Sequence, residues 1–81
     1  MKHASQTTLA GIATQLTQIR ALNVKERSPG VFHLKSKPFL HFHEDPTGVY
    51  ADVRADLEWE RFAVADPVEW RKLLKRINDA L

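Results

Sequence analysis

A two-layer α+β sandwich in the order αββββα is the fold this sequence predicts, and three observations predict it. Apolar residues recur at three- and four-residue spacing in an early and a late segment; from Val31 to Val64 the period falls to two; and each two-period segment is apolar on one side only. A sheet with one apolar face needs one covering layer, so both helices are expected on that face of an antiparallel meander. The other face is expected to stay open.

The first helix is read over residues 6–22 from Leu9, Ile12, Ala13, Leu16 and Ile19, with Gln15, Thr17, Gln18 and Arg20 between them. Ser5, Thr7 or Thr8 is expected to cap its start and Asn23 its end, and Lys25 to Gly30 reads as a connector closed by a Pro-Gly turn. Four strands follow, carried by Phe32 and Leu34, by Leu40 and Phe42, by Val49, Ala51 and Val53, and by Phe62 and Val64. Their connections are Lys35 to Pro38, Asp45-Pro46-Thr47-Gly48, and Ala55 to Glu58. Asp-Pro-Thr-Gly is the strongest turn signal, with Pro pre-set for the second turn position and Gly able to take positive φ. Asp66-Pro67-Val68-Glu69 then opens the second helix as N-cap, first helical Pro and capping-box Glu. Its apolar stripe is Trp70, Leu73, Leu74, Ile77 and Leu81, opposite a basic face of Arg71, Lys72, Lys75 and Arg76.

The 81 residues suffice for a single domain, 1–81, and leave no room for a second core. Folding at this size buries only roughly 60–65% of the unfolded chain's surface, which favours association, a homodimer being the simplest case. With no cysteine, disulfides, thiolate metal sites and a cysteine nucleophile are all excluded. MKHASQTTLAGIATQ lacks the apolar core of a signal peptide, and no run approaches the ~18 apolar residues of a membrane helix, so a soluble, cytoplasmic protein with no membrane partner is expected. Twelve basic against ten acidic side chains give a net charge of +2, too small a surplus to name a partner.

FLHFHED, Phe39 to Asp45, raises the functional question, because two histidines one residue apart stand beside two carboxylates. Paired residues on antiparallel strands face the same way, so the apolar pattern selects a register. Pairing Leu34 with Leu40 and Phe32 with Phe42 puts His33 opposite His41 and Val31 opposite His43. The second hairpin pairs Glu44 with Val49, Phe42 with Ala51 and Leu40 with Val53, which sets His41 against Asp52 and His43 against Tyr50. The third pairs Arg54 with Trp59, Asp52 with Arg61 and Ala51 with Phe62. The expected binding face is therefore Lys35, Phe39, His41, His43, Tyr50, Asp52, Arg54, Trp59 and Arg61.

His33, His41, His43 and Asp52 are the candidate metal ligands, set against an exposed cross-strand network of the same groups. No nucleophile motif surrounds Ser5, Ser28 or Ser36, and three glycines form no phosphate loop, so neither catalysis nor a cofactor is expected. The leading expectation is a non-enzymatic module binding a protein partner or a second copy through Trp, Tyr, Phe and Arg on the open face. Nucleic-acid binding is the alternative, since aromatic and basic side chains share that face. Against it, Asp52, Glu58 and Glu60 are expected in the same region.

The segment PGVFHLKSKPFLHFHEDPTGVYADVR, residues 29–54, resembles small uncharacterised bacterial proteins and, more loosely, the YjbR-type (MmcQ-like) domains, in which a Lys-Pro-Phe strand start precedes hairpins after an N-terminal helix. The resemblance implies an α+β fold and, in some members, a suspected role in DNA binding. This chain lacks the longer C-terminal half of those domains, and no functional residue carries over.

Overall fold

Alternating side chains on the central strands organise the molecule, since one face of each must be buried. The computed structural model describes residues 2–55 and 57–81, in the order β1 (Lys2–His3), α1 (Gln6–Gly11), α2 (Ala13–Arg20), β2 (Lys25–Ser28), β3 (Val31–Leu34), β4 (Lys37–Asp45), β5 (Gly48–Ala55), β6 (Glu58–Ala63) and α3 (Pro67–Ala80). It is an α+β fold with an open antiparallel sheet ordered β2-β3-β4-β5-β6. β1 pairs with β4 on the edge that β3 also uses: the Phe42 N–H donates to Gly30 and the Phe42 carbonyl accepts from Ala4.

The core lies on one side of the sheet. Phe32, Leu40, Phe42, Ala51, Val53 and Phe62 meet Leu9, Leu16 and Ile19 of the first two helices and Trp70, Leu73 and Ile77 of α3. Phe42 packs edge-on against Phe32 and beside Trp70, whose indole N–H donates to Gln18 at 2.6 Å and ties α3 to α2. Val64 follows β6 but is buried, its N–H donating to Val49. Among the described residues no helix is long and apolar enough to cross a membrane.

The expected helix 6–22 is two helices. Ile12, at φ −118°, separates them beside Gly11, a residue that costs roughly 1 kcal/mol more than Ala in a helix. Ser5 is the N-cap, accepting from the Thr8 N–H. The second helix ends at Arg20 with Ala21 as C-cap, so Asn23 lies past the end: the Ala21 and Leu22 N–H groups are already satisfied by Thr17 and Ile19.

The expected connector at Lys25–Gly30 contains an edge strand, β2, whose Lys25 and Glu26 pair with His33 and Phe32. Its sequence, Lys-Glu-Arg-Ser, has no apolar side to reveal it, as suits a charged edge. Glu26 grips Arg20 at 2.8 Å and the Gly30 N–H at 3.3 Å. Gly30 has φ +77°, which calls for glycine, and a Cβ there would also crowd the Leu9 side chain at 3.0 Å.

At α3, Asp66 caps Val68 and Glu69 as expected, but Glu69 does not complete a capping box. Ala63 satisfies the Asp66 N–H, and Glu69 lies 3.9 Å from Lys72. Leu81 leaves the apolar stripe, being 47% exposed just beyond the helix. The Ala55–Glu58 connection is a hairpin with Ala55 opposite Glu58; Asp56, within it, lies outside the described residues.

Candidate functional site, the open sheet face

The second and third hairpins place their side chains in the register that the apolar pattern demands. His41 is opposite Asp52, His43 opposite Tyr50, Asp52 opposite Arg61 and Arg54 opposite Trp59. The Arg61 guanidinium forks onto both Asp52 oxygens, at 2.8 and 3.2 Å, and His43 Nε2 stands 3.5 Å from Asp52 Oδ2. His41 lies against Trp59, ring centroids 4.9 Å apart, and meets the His43 ring edge-on at 5.7 Å. Trp59 is 47% exposed and belongs to the surface.

The first hairpin departs from expectation. Its turn is Lys35-Ser36, with φ of 54° and 68° and Leu34 opposite Lys37, rather than a loop running to Pro38. Two consecutive left-handed residues make the tight turn whose twist matches the flanking strands. Val31 therefore faces His41, Phe32 faces Leu40 and His33 faces Pro38, and the pairings of His33 with His41 and Val31 with His43 are replaced. The register shifts by one between Phe32 and His33, leaving Phe39 as an extra residue on β4. That bulge interrupts alternation, so Phe39 and Leu40 are both buried and Phe39, 5% exposed, is core instead of binding face. Lys35 sits in the turn and has no cross-strand partner on β4.

Val31 takes the place opposite His41 that His33 was expected to fill, and a histidine not foreseen on this face, His3, joins it. His3 pairs with His43 across β1–β4, its ring lies edge-on to His43 at 6.3 Å, and its Nε2 is 3.0 Å from the Pro29 carbonyl. A two-residue strand ahead of a helix has no periodicity to announce it. Glu44 also gains a role unforeseen in the sequence: it accepts from the Ser5 N–H at 2.6 Å and the Thr8 hydroxyl at 2.9 Å, closing the start of α1. These hydrogen bonds hold its carboxyl below the usual carboxylate range. Asp45 is likewise lowered by Thr47 within the β4–β5 turn.

The chemistry of the face is that of a surface held in place. Burial, then the neighbouring His43, depress the His41 pKa, while Asp52 pulls it upward. His41 is therefore a neutral ring on an indole at neutral pH. The Nδ1 of His43 is enclosed, and its Nε2 is directed at Asp52. Among the described residues no three His, Asp or Glu side chains are placed to hold a metal ion. The structure does not bring His33, His41, His43 and Asp52 to one point, and Arg61 occupies both oxygens of Asp52.

Glu58 and Glu60 alternate to the helix side of β6, where Glu60 bonds Arg76 of α3 at 3.0 Å. Of the acids expected on the open face only Asp52 remains there, neutralised by Arg61; among the described residues Asp45 joins it, engaged with Thr47. No protein family, curated protein or solved structure matches this chain.

Proposed function

We propose that the chain is a non-enzymatic binding module, soluble and cytoplasmic, whose open sheet face receives single-stranded nucleic acid. The observation that carries this reading is Trp59, half exposed on the neutral His41 ring, with Arg54 as its cross-strand neighbour. A base stacks on an aromatic plane whatever its identity, and an adjacent Arg holds the phosphate. Tyr50 lies on the same face two rows away, and the withdrawal of Glu58 and Glu60 removes the main electrostatic objection. Fluorescence anisotropy with a labelled 12-mer, single-stranded and as a duplex of the same sequence, tests the reading. Tighter binding of the single strand is expected; no binding, or a preference for the duplex, contradicts it.

A protein partner, most simply a second copy, is the second reading. Trp59, Tyr50 and Arg61 on a face fixed by ion pairs have the composition of an interface core. Light scattering at rising concentration separates the two, since a dimer that Trp59→Ala dissociates assigns the face to self-association.

A further inference from the structure

Charge is distributed unevenly over this small molecule, in a way its net charge conceals. Of the twelve Lys and Arg side chains, Arg20, Arg61, Lys72, Lys75 and Arg76 each meet a carboxylate. The other seven form no ion pair among the described residues. Five of the seven, Lys25, Arg27, Lys35, Lys37 and Arg54, stand at one end of the sheet on β2, the β3–β4 turn, β4 and β5.

Two adjoining hollows are lined by these cations. One, of about 390 Å³, lies between β2, the β3–β4 turn and the end of α3, and is lined by Lys25, Arg27, His33 and Lys35. The other, of about 340 Å³, is lined by Lys35, Lys37 and Arg54 and shares Leu34, Lys35 and Ala80 with the first. No Asp or Glu among the described residues lines either one. His33, which stands opposite Pro38 rather than His41, also lines this end.

We propose that this basic end is the phosphate-binding track of the nucleic-acid site, continuous with the aromatic face through Arg54 and Trp59. The proposal rests on the function proposed above and adds the location of its backbone contacts. Adjacent strands are ~4.8 Å apart, so cations spread from β2 across three strand spacings to β5 make a row of about 14 Å, long enough for an extended polyanion and too long for one phosphate group. Without a carboxylate partner among the described residues, these side chains present their charge outward, and phosphodiesters are the complementary partner. The track meets the stacking platform because Arg54 and Trp59 are directly opposite on β5 and β6.

The test is the salt dependence of binding to a labelled 12-mer single strand, with heparin and a polyglutamate peptide as polyanions without bases. For the unaltered chain, the log–log salt slope is expected to be about −3.5, as about 0.7 is lost per phosphate contact on a single strand and five cations line the track. Lys25→Gln with Arg27→Gln and Lys35→Gln is expected to weaken binding at least tenfold and flatten the slope by about 2. All three side chains are exposed, so the fold should survive, and an unchanged denaturation midpoint checks it. Trp59→Ala is expected to weaken binding with the slope retained. If the triple variant keeps its affinity and slope while Trp59→Ala loses affinity, the basic end is overturned and the sheet-face reading stands. If no oligonucleotide binds, both fall. Heparin or polyglutamate binding as tightly as the oligonucleotide also overturns the assignment.

Discussion

The two faces of this sheet are built from the same strands yet do different work. Phe42, Ala51 and Phe62 lie in one cross-strand row beneath the helices, and one residue away His41, Asp52 and Arg61 lie in another that nothing covers. Removing a side chain from the first row opens a cavity in a small core. Removing one from the second opens no cavity in that core and alters chiefly the surface itself. The comparison teaches that folding and the proposed binding are separable here, residue by residue, along a single strand.

The largest expected effect is on the covered face. Phe42→Ala deletes a fully buried ring in contact with Phe32 and Trp70 and should cost about 3–5 kcal/mol. For a domain of this size that is most of its stability, so a lost or sharply lowered urea midpoint is the readout.

Phe39→Ala sharpens the comparison. If Phe39 is core through its bulge, the substitution should cost about 3 kcal/mol; on an open face it would cost well under 1 kcal/mol. A midpoint close to that of the unaltered protein would return Phe39 to the surface.

Ser36→Gly should act in the opposite direction. Ser36 sits at φ 68°, a left-handed conformation costing roughly 1 kcal/mol that glycine avoids, so a gain of about that size is expected in thermal or urea unfolding. Loss of stability on this change would contradict the two-residue turn.

The smallest effect concerns pH. His41 is held below its ordinary value by burial and His43, so below about pH 6.5 the unfolded chain binds the proton more readily than the folded one. This contribution to stability is therefore whole above that pH and is lost as the pH falls towards the lowered value of His41. The groups facing it are Asp52, His3, His33 and His43, and His41→Phe should flatten the dependence between pH 7.5 and 5. Identical pH profiles for the two proteins would remove His41 as the cause.

Much of this comparison was legible in the residues, and what was not has a physical reason. The β4–β5 and β5–β6 registers follow from alternation together with the Asp-Pro-Thr-Gly turn, because a one-residue slip would turn Phe42 and Ala51 to water. The β3–β4 register does not. Lys35-Ser36 carries no glycine or asparagine to mark a left-handed turn, and a bulge at Phe39 keeps the apolar face intact under a different pairing. β1 and β2 were hidden for another reason: Lys-His and Lys-Glu-Arg-Ser have no apolar alternation, being held by backbone pairing and by contacts such as His3 with Pro29 and Glu26 with Arg20. Of the candidate site, Trp59, His41, Asp52 and Arg61 follow from pattern, whereas His3 needed the tertiary structure.

The most direct test of the central claim, that the open face binds and does not fold, is Trp59→Ala measured two ways on one preparation. The expected result is a loss of single-stranded oligonucleotide affinity of at least about fivefold, in line with about 1–3 kcal/mol per stacked base, and an unfolding free energy from the urea midpoint within about 0.5 kcal/mol of the original. Unchanged affinity with a collapsed midpoint would contradict it, making Trp59 a folding residue and leaving the open face without its function.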